Sequence, residues 1–244
     1  MSDEATARRL DRRDFLRYGG WGALVLAAGG AVAGVASGRS GGRSVPKTYG
    51  PTDQRLLAGA GPTSNFRRFA ATDGHILLPG RDPLYVFGFV DVEPQNALDD
   101  PVADVVNAHK GLVKVPAPIL EVKEGEDLYL TLTNVGLVAR PDLDDSHTIH
   151  WHGFRNPLAL FDGVPEASIS VPVNRDFPYF YPARNEGTYM YHCHFEDVEH
   201  VTMGMTGVVF VRPTQYGTPF GGYTRHAYDS GDGTTGYDRP LMIQ

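Results

Sequence analysis

The chain has 244 residues, 41% of them hydrophobic, and a formal net charge of −7. That length allows one domain of ordinary size or two very small ones, and an acidic balance with no basic stripe in its later segments excludes a nucleic-acid partner. The single cysteine, Cys193, excludes an intrachain disulfide framework and a zinc site built from several thiolates.

In chain order, residues 1–38 come first and read as a targeting segment. "DRRDFLRYGG" (Asp11 to Gly20) places Arg12 and Arg13 just before Phe15 and Leu16, and Gly19 to Ala36 is almost wholly Gly, Ala, Val and Leu. This is a charged n-region followed by an apolar h-region, with "AVA" (Ala31 to Ala33) as a small-residue cleavage site and a mature chain beginning near Gly34. Paired arginines in that position are the export address of the twin-arginine route, which implies a periplasmic or extracellular location. A single membrane anchor is the alternative, although the apolar run is rich in glycine and near the lower length limit for a span. Residues 39–64, rich in Gly, Ser and Arg at their start, read as a flexible linker.

From about Asn65 the pattern becomes one of short strands and turns. "LYVFGFVDV" (Leu84 to Val92), "PILEVKEGEDLYLTLTN" (Pro118 to Asn134), "SISVPV" (Ser168 to Val173), "FPYFYPA" (Phe177 to Ala183), "GTYMYHCHF" (Gly187 to Phe195) and "TGVVFVRP" (Thr206 to Pro213) are rich in β-branched and aromatic residues. Gly, Pro, Asn and Asp separate them. No stretch beyond the targeting segment sustains a helical period, so the expectation is an all-β sandwich or barrel over residues 65–215, followed by an extension, 216–244. Within the second of these stretches Leu128, Leu130 and Leu132 fall on one face while Tyr129, Thr131 and Thr133 fall on the other.

Six of the nine histidines and the only cysteine lie in two short segments. "SHTIHWHG" (Ser146 to Gly153) holds His147, His150 and His152. "YHCHFEDVEHVTMGM" (Tyr191 to Met205) holds His192, Cys193, His194 and His200, with Met203 and Met205 after them. His75, His109 and His226 stand alone and read as structural or surface residues. One thiolate, two imidazoles and a thioether are the donor set of a blue-copper electron-transfer site, trigonal with a weak axial methionine. Cys193, His200 and Met205 supply three donors, and His147 is the candidate for the fourth. Side chains at odd spacing on a strand point to opposite faces, so His192 and His194 project away from Cys193, and His147 can face away from His150 and His152. Two sites back to back are expected.

These motifs resemble those of the multicopper oxidases, the laccase-like family with cupredoxin domains, and within it the first domain of two-domain bacterial and archaeal enzymes. The resemblance covers roughly Asn65 to Pro213 and includes "DGVP" (Asp162 to Pro165) and "EGTYMYHCH" (Glu186 to His194). It implies a cupredoxin-like Greek-key β-sandwich or barrel. It also implies a ligand set: His147, Cys193, His200 and Met205 on type 1 copper, His150 on type 2 copper, and His152, His192 and His194 on the type 3 pair. The implied reaction takes electrons one at a time from a small-molecule or metal-ion reductant at type 1 copper and passes them through Cys193, His192 and His194 to a trinuclear cluster, where O₂ becomes water.

Two features depart from the family's pattern. Six residues separate Cys193 from His200, two more than in most laccases. The trinuclear cluster takes eight histidines from two domains, and this chain has one set of four. The missing half comes either from a second copy, in a homo-oligomer such as a dimer or trimer of dimers, or from a second domain into which "GYDRPLMIQ" (Gly236 to Gln244) resembles a linker. An electron carrier, or a nitrite-reductase relative with one mononuclear second copper, is the remaining reading. Asp162 matches the family's acid near type 2 copper and also reads as a turn aspartate before Gly163. The acidic run "PDLDDSH" (Pro141 to His147) reads as a solvated loop, or as an attractor of cationic substrates.

Overall fold

The structure, a computed structural model, describes residues 64–92 and 100–241. The expected targeting segment and nearly all of the expected linker lie outside the described residues. Among the described residues no helix is long and apolar enough to cross a membrane.

Among the described residues eight strands form two four-stranded sheets: β1 (Ser64–Ile76), β2 (Leu84–Asp91), β3 (Leu120–Lys123), β4 (Asp127–Asn134), β5 (His150–His152), β6 (Arg175–Pro182), β7 (Gly187–His192) and β8 (Thr206–Arg212). One sheet runs β2-β1-β4-β6 and the other β3-β8-β7-β5. The pairs β1–β4 and β3–β8 are parallel and the rest antiparallel. Chain neighbours such as β2 and β3 thus sit in different sheets, which is the cross-over wiring of the Greek-key sandwich. The expected all-β cupredoxin-like class holds.

The core lies between the sheets. Leu128, Leu130 and Leu132 pair with Tyr181, Tyr179 and Phe177 across β4–β6 and pack with Phe69, Phe87, Phe89, Trp151, Tyr191 and Val209. Cys193 and Met205 belong to the same buried cluster, so the thiol sits inside the sandwich rather than on its rim. The alternate face of β4 is buried too, because Arg68 reaches across it. Its Nε donates to Thr133 Oγ1 at 2.8 Å, Nη1 to the Asp100 carbonyl at 2.7 Å, and Nη2 to Asp176 at 3.3 Å. A buried guanidinium is tolerable only with partners of that kind.

The fold departs from the sequence expectations in four places. Among the described residues two helices occur where none was expected: α1 (Val102–His109) and α2 (Asp197–Thr202). Each buries a single residue, Val105 in α1 and His200 in α2, so neither carries an apolar stripe. Strand β1 was not recognised as an element, because Arg67, Arg68 and Asp73 interrupt its apolar alternation. Ser168–Val173 forms no strand; its one bridge joins Val171 to His147, and Pro172 has no N–H to extend the ladder. Finally, β7 stops at His192, and Cys193 to Phe195 continue as irregular chain.

Candidate metal centre

Strand β5 pairs antiparallel with β7, with His150 opposite His192 and His152 opposite Met190. This register turns His150, His152, His192 and His194 to one side. The His150 ring lies 5.6, 5.2 and 5.2 Å from those of His152, His192 and His194, and the His192 ring lies 5.5 Å from that of His194. Nitrogens of His150, His152 and His192 all fall within 4.8 Å of one another. His152 is exposed, His150 and His194 are half-buried and His192 is buried, so the quartet opens toward the surface. Between its histidines Trp151 points inward, stacked on Phe154 at 4.3 Å.

The tautomers of two members follow from their outer contacts. His150 Nδ1 donates to the Asp162 carbonyl at 2.6 Å and His192 Nδ1 to the Cys193 carbonyl at 2.8 Å, which leaves each Nε2 with a lone pair for a metal. The Asp162 carbonyl reaches His150 because the chain turns at Gly163, with φ +80° and its Cα packed on the Ile149 carbonyl; a Cβ there would lie 2.1 Å from that oxygen. The Asp162 carboxylate accepts from Asn156 Nδ2 at 2.5 Å and stands 3.8 Å from His150 Nδ1.

On the other side of this segment a second group converges. Cys193 Sγ lies 3.9 Å from His147 Nδ1 and 3.3 Å from His200 Nδ1, and all three residues are fully buried. The main-chain N–H of Cys193 donates to the Met205 carbonyl at 3.1 Å, and that of Met205 to the His200 carbonyl at 2.9 Å, which closes the segment that carries three of the four expected donors. Helix α2 takes up the added length between Cys193 and His200 and delivers His200 from its last turn. Glu196, just before it, adopts a left-handed conformation at φ 47°. Phe87 packs edge-on against His200 at 5.1 Å. Burial, and then the neighbouring His200, push the His147 pKa down to about 3, so its imidazole is neutral, as a ligand must be. Burial pushes the Cys193 thiol up to about 11, so a metal must displace its proton.

The donor atoms fit a soft transition metal. A trigonal ion about 2.3 Å from sulfur and about 2.0 Å from nitrogen sets sulfur–nitrogen separations of ~3.7 Å, and the observed 3.3 and 3.9 Å bracket that value. Residues 105–216 match the family model described as multicopper oxidase. This stretch is similar to a multicopper oxidase domain.

The domain is similar to a copper resistance protein A homolog of Pseudomonas syringae pv. tomato, 36% identical over 81 residues, which are 33% of this chain and 12% of that protein. It is also similar to laccase-1 of Cryptococcus neoformans, 31% identical over 85 residues, 34% of this chain and 12% of the laccase. A blue copper oxidase structure from Nitrosomonas europaea is 31% identical, covers 64% of this chain and 40% of that one, and superposes with a TM-score of 0.46. The matched stretch is thus about an eighth of the length of these curated relatives. The family binds copper.

All seven histidine and cysteine residues expected at the two sites are brought together in the two groups, and Met205 is fully buried beside them in sequence and main-chain bonding. His75 packs its ring against Tyr85, His109 bonds to Val105 of its own helix, and His226 is fully buried in the C-terminal extension; none of the three joins a metal-sized group among the described residues. The acidic run is divided: Asp142 pairs with Arg140, while Asp145 lies 3.8 Å from His200 Nε2. The sequence reading missed Thr148, which touches Cys193 and His194, and Asn156, which reaches the quartet only through Asp162; Asp145 it placed in the acidic run without its contact to His200. Thr148 was the most legible of these, since it directly follows His147.

Proposed function

We propose that this domain is the electron-accepting part of a copper-dependent oxidase, in which a reductant gives up electrons one at a time at the Cys193 site and O₂ is reduced to water at a trinuclear cluster, half of it built from His150, His152, His192 and His194. Copper supplies the one-electron redox chemistry and the oxygen reduction. His147, Cys193, His200 and an axial Met205 would hold type 1 copper. His150 would reach type 2 copper, with His152, His192 and His194 on the type 3 pair. The observation that carries the reading is the adjacency of His192, Cys193 and His194. The cysteine faces the buried donor group and its two neighbours face the outer quartet, so a path from one group to the other runs through a few covalent bonds. Asp162, which accepts from Asn156 at 2.5 Å and stands 3.8 Å from His150 Nδ1, would pass protons from solvent toward the quartet.

A carrier of single electrons needs a buried thiolate site only, and the outward quartet has no role in it. Four histidines are half of the family's cluster set. The other four come from a second copy of this chain, in a homo-oligomer, or from a second domain of the same protein. Either arrangement puts the quartet at a contact, which suits its opening toward the surface. Export by the twin-arginine route belongs to the same reading, since that route carries proteins already folded around a metal.

Copper content, absorption spectrum and mass in solution, measured together, test the proposal. An assembly with two blue coppers and three further shared ions is expected for a dimeric unit. One copper per chain in a monomer overturns the oxidase reading in favour of a carrier, and two per chain in favour of a nitrite-reductase-like site. Met205→Leu gives a second expected result. The protein stays blue, and its reduction potential rises, because loss of a weak axial donor disfavours the oxidised ion. Redox titration of both proteins checks it, and an unchanged potential moves the axial role to another residue.

A further inference from the structure

Among the described residues Met190 is the exposed methionine: it is 37% exposed, whereas Met203 is half-buried and Met205 fully buried. It sits on β7 two residues before His192, so both side chains leave the strand on the same face, and the antiparallel register sets it directly opposite His152 on β5. Side chains paired in this way have Cβ atoms about 5 Å apart. The rings of His152 and His192 lie 5.5 Å from each other, so a thioether stands at the outer edge of the quartet beside two imidazoles. His152 is also the most exposed member of the quartet. Unlike His150 and His192, whose Nδ1 each donates to a carbonyl, it has no hydrogen bond anchoring its ring among the described residues. We propose that Met190 and His152 form a capture site for cuprous copper at the rim of the quartet, where the ion is taken up before it passes inward to the other three histidines. The inference rests on the reading of the quartet as copper ligands.

The physical reason is softness. A thioether is neutral and polarisable; it donates well to a soft monovalent ion and adds little for a harder divalent one. Imidazoles bind both kinds. Four imidazoles alone therefore discriminate weakly between them, and a sulfur donor at their entrance tips the choice toward the monovalent ion. The ion arrives and leaves in the same oxidation state, so capture needs no oxidant or reductant. Leucine has nearly the volume of methionine and keeps its apolar contacts, so Met190→Leu removes the sulfur and little else.

The experiment uses silver ion as a redox-inert soft monovalent probe and zinc as a divalent one, each titrated against a competing chelator. The protein is the copper-free full chain carrying Cys193→Ser and Met205→Leu, which take both sulfur donors out of the buried group. Adding M190L is expected to weaken silver binding at least ~10-fold, since loss of even an outer partner of a metal ligand costs that much, and to leave zinc binding unchanged. Adding His152→Ala is expected to weaken both. Unchanged silver affinity in M190L overturns the proposal, and so does an equal loss for zinc, which would make Met190 a packing residue. If the substituted background does not fold, the unsubstituted chain labelled at its methionine methyl groups decides: a silver-dependent shift of the Met190 methyl resonance supports the site, and a resonance that stays in place overturns it. A chain with Met190 intact that binds neither ion overturns the reading of the quartet instead.

Discussion

Replacing Cys193 with serine abolishes the blue absorption of the copper-loaded protein completely, and the copper content falls by the ion held at that site. The colour of such a centre is charge transfer from a thiolate to oxidised copper, and a serine hydroxyl is neither soft nor anionic near neutral pH. The geometry makes the effect local. Cys193 is buried among His147 and His200, no second cysteine exists to replace it, and serine is close in size, so the sandwich should still fold. The His150 quartet points the other way and keeps its own donors. Absorption and copper analysis of the purified variant check the outcome. A serine variant that stays blue removes Cys193 from the ligand set, and with it the shared path to His192 and His194.

What could be read from sequence, and what could not, divides along the range of the interactions. The alternation in β4 and the two histidine clusters are local patterns with a period of two, so the faces of Leu130, His150 and His192 follow from counting residues. The bond that leaves Nε2 of His150 free for a metal is not local. It depends on the Asp162 carbonyl twelve residues from His150, and that contact exists only because Gly163 permits the turn. Strand β1 was hidden for a similar reason. Arg68 and Asp73 look like surface residues until their partners are known, and those partners lie far away: Thr133 and Asp176 for Arg68, and the N–H groups of Val138 and Ala139 with the Tyr85 hydroxyl for Asp73. Helix α2 was hidden because six residues with one buried side chain make no periodic signal, although the count of residues between Cys193 and His200 announced that extra chain had to go somewhere. Thr148 and Asn156 act on the candidate ligands through contacts of this second kind, one across 45 residues to Cys193 and the other through Asp162.

The double substitution His150→Ala/His192→Ala separates entry of electrons from their exit. Both residues lie opposite each other across β5–β7, and neither belongs to the buried group of His147, Cys193 and His200. Their loss should therefore leave the blue band in place while O₂ consumption falls to the background of copper-free protein, because half of a cluster that lacks two of its four imidazoles cannot hold its ions in register. Association should weaken at the same time. Metal that binds only the assembled form stabilises it by linkage, and a two-fold interface loses the same ligands from both partners at once. Sedimentation of the copper-loaded variant against the parent measures that shift, and reductant-driven O₂ uptake measures the other. A variant that loses its blue band means the two groups are not independent. A parent that is monomeric with full oxidase activity rules out a cluster shared between copies, whereas a monomeric parent that is blue but consumes no O₂ assigns the other four histidines to a second domain.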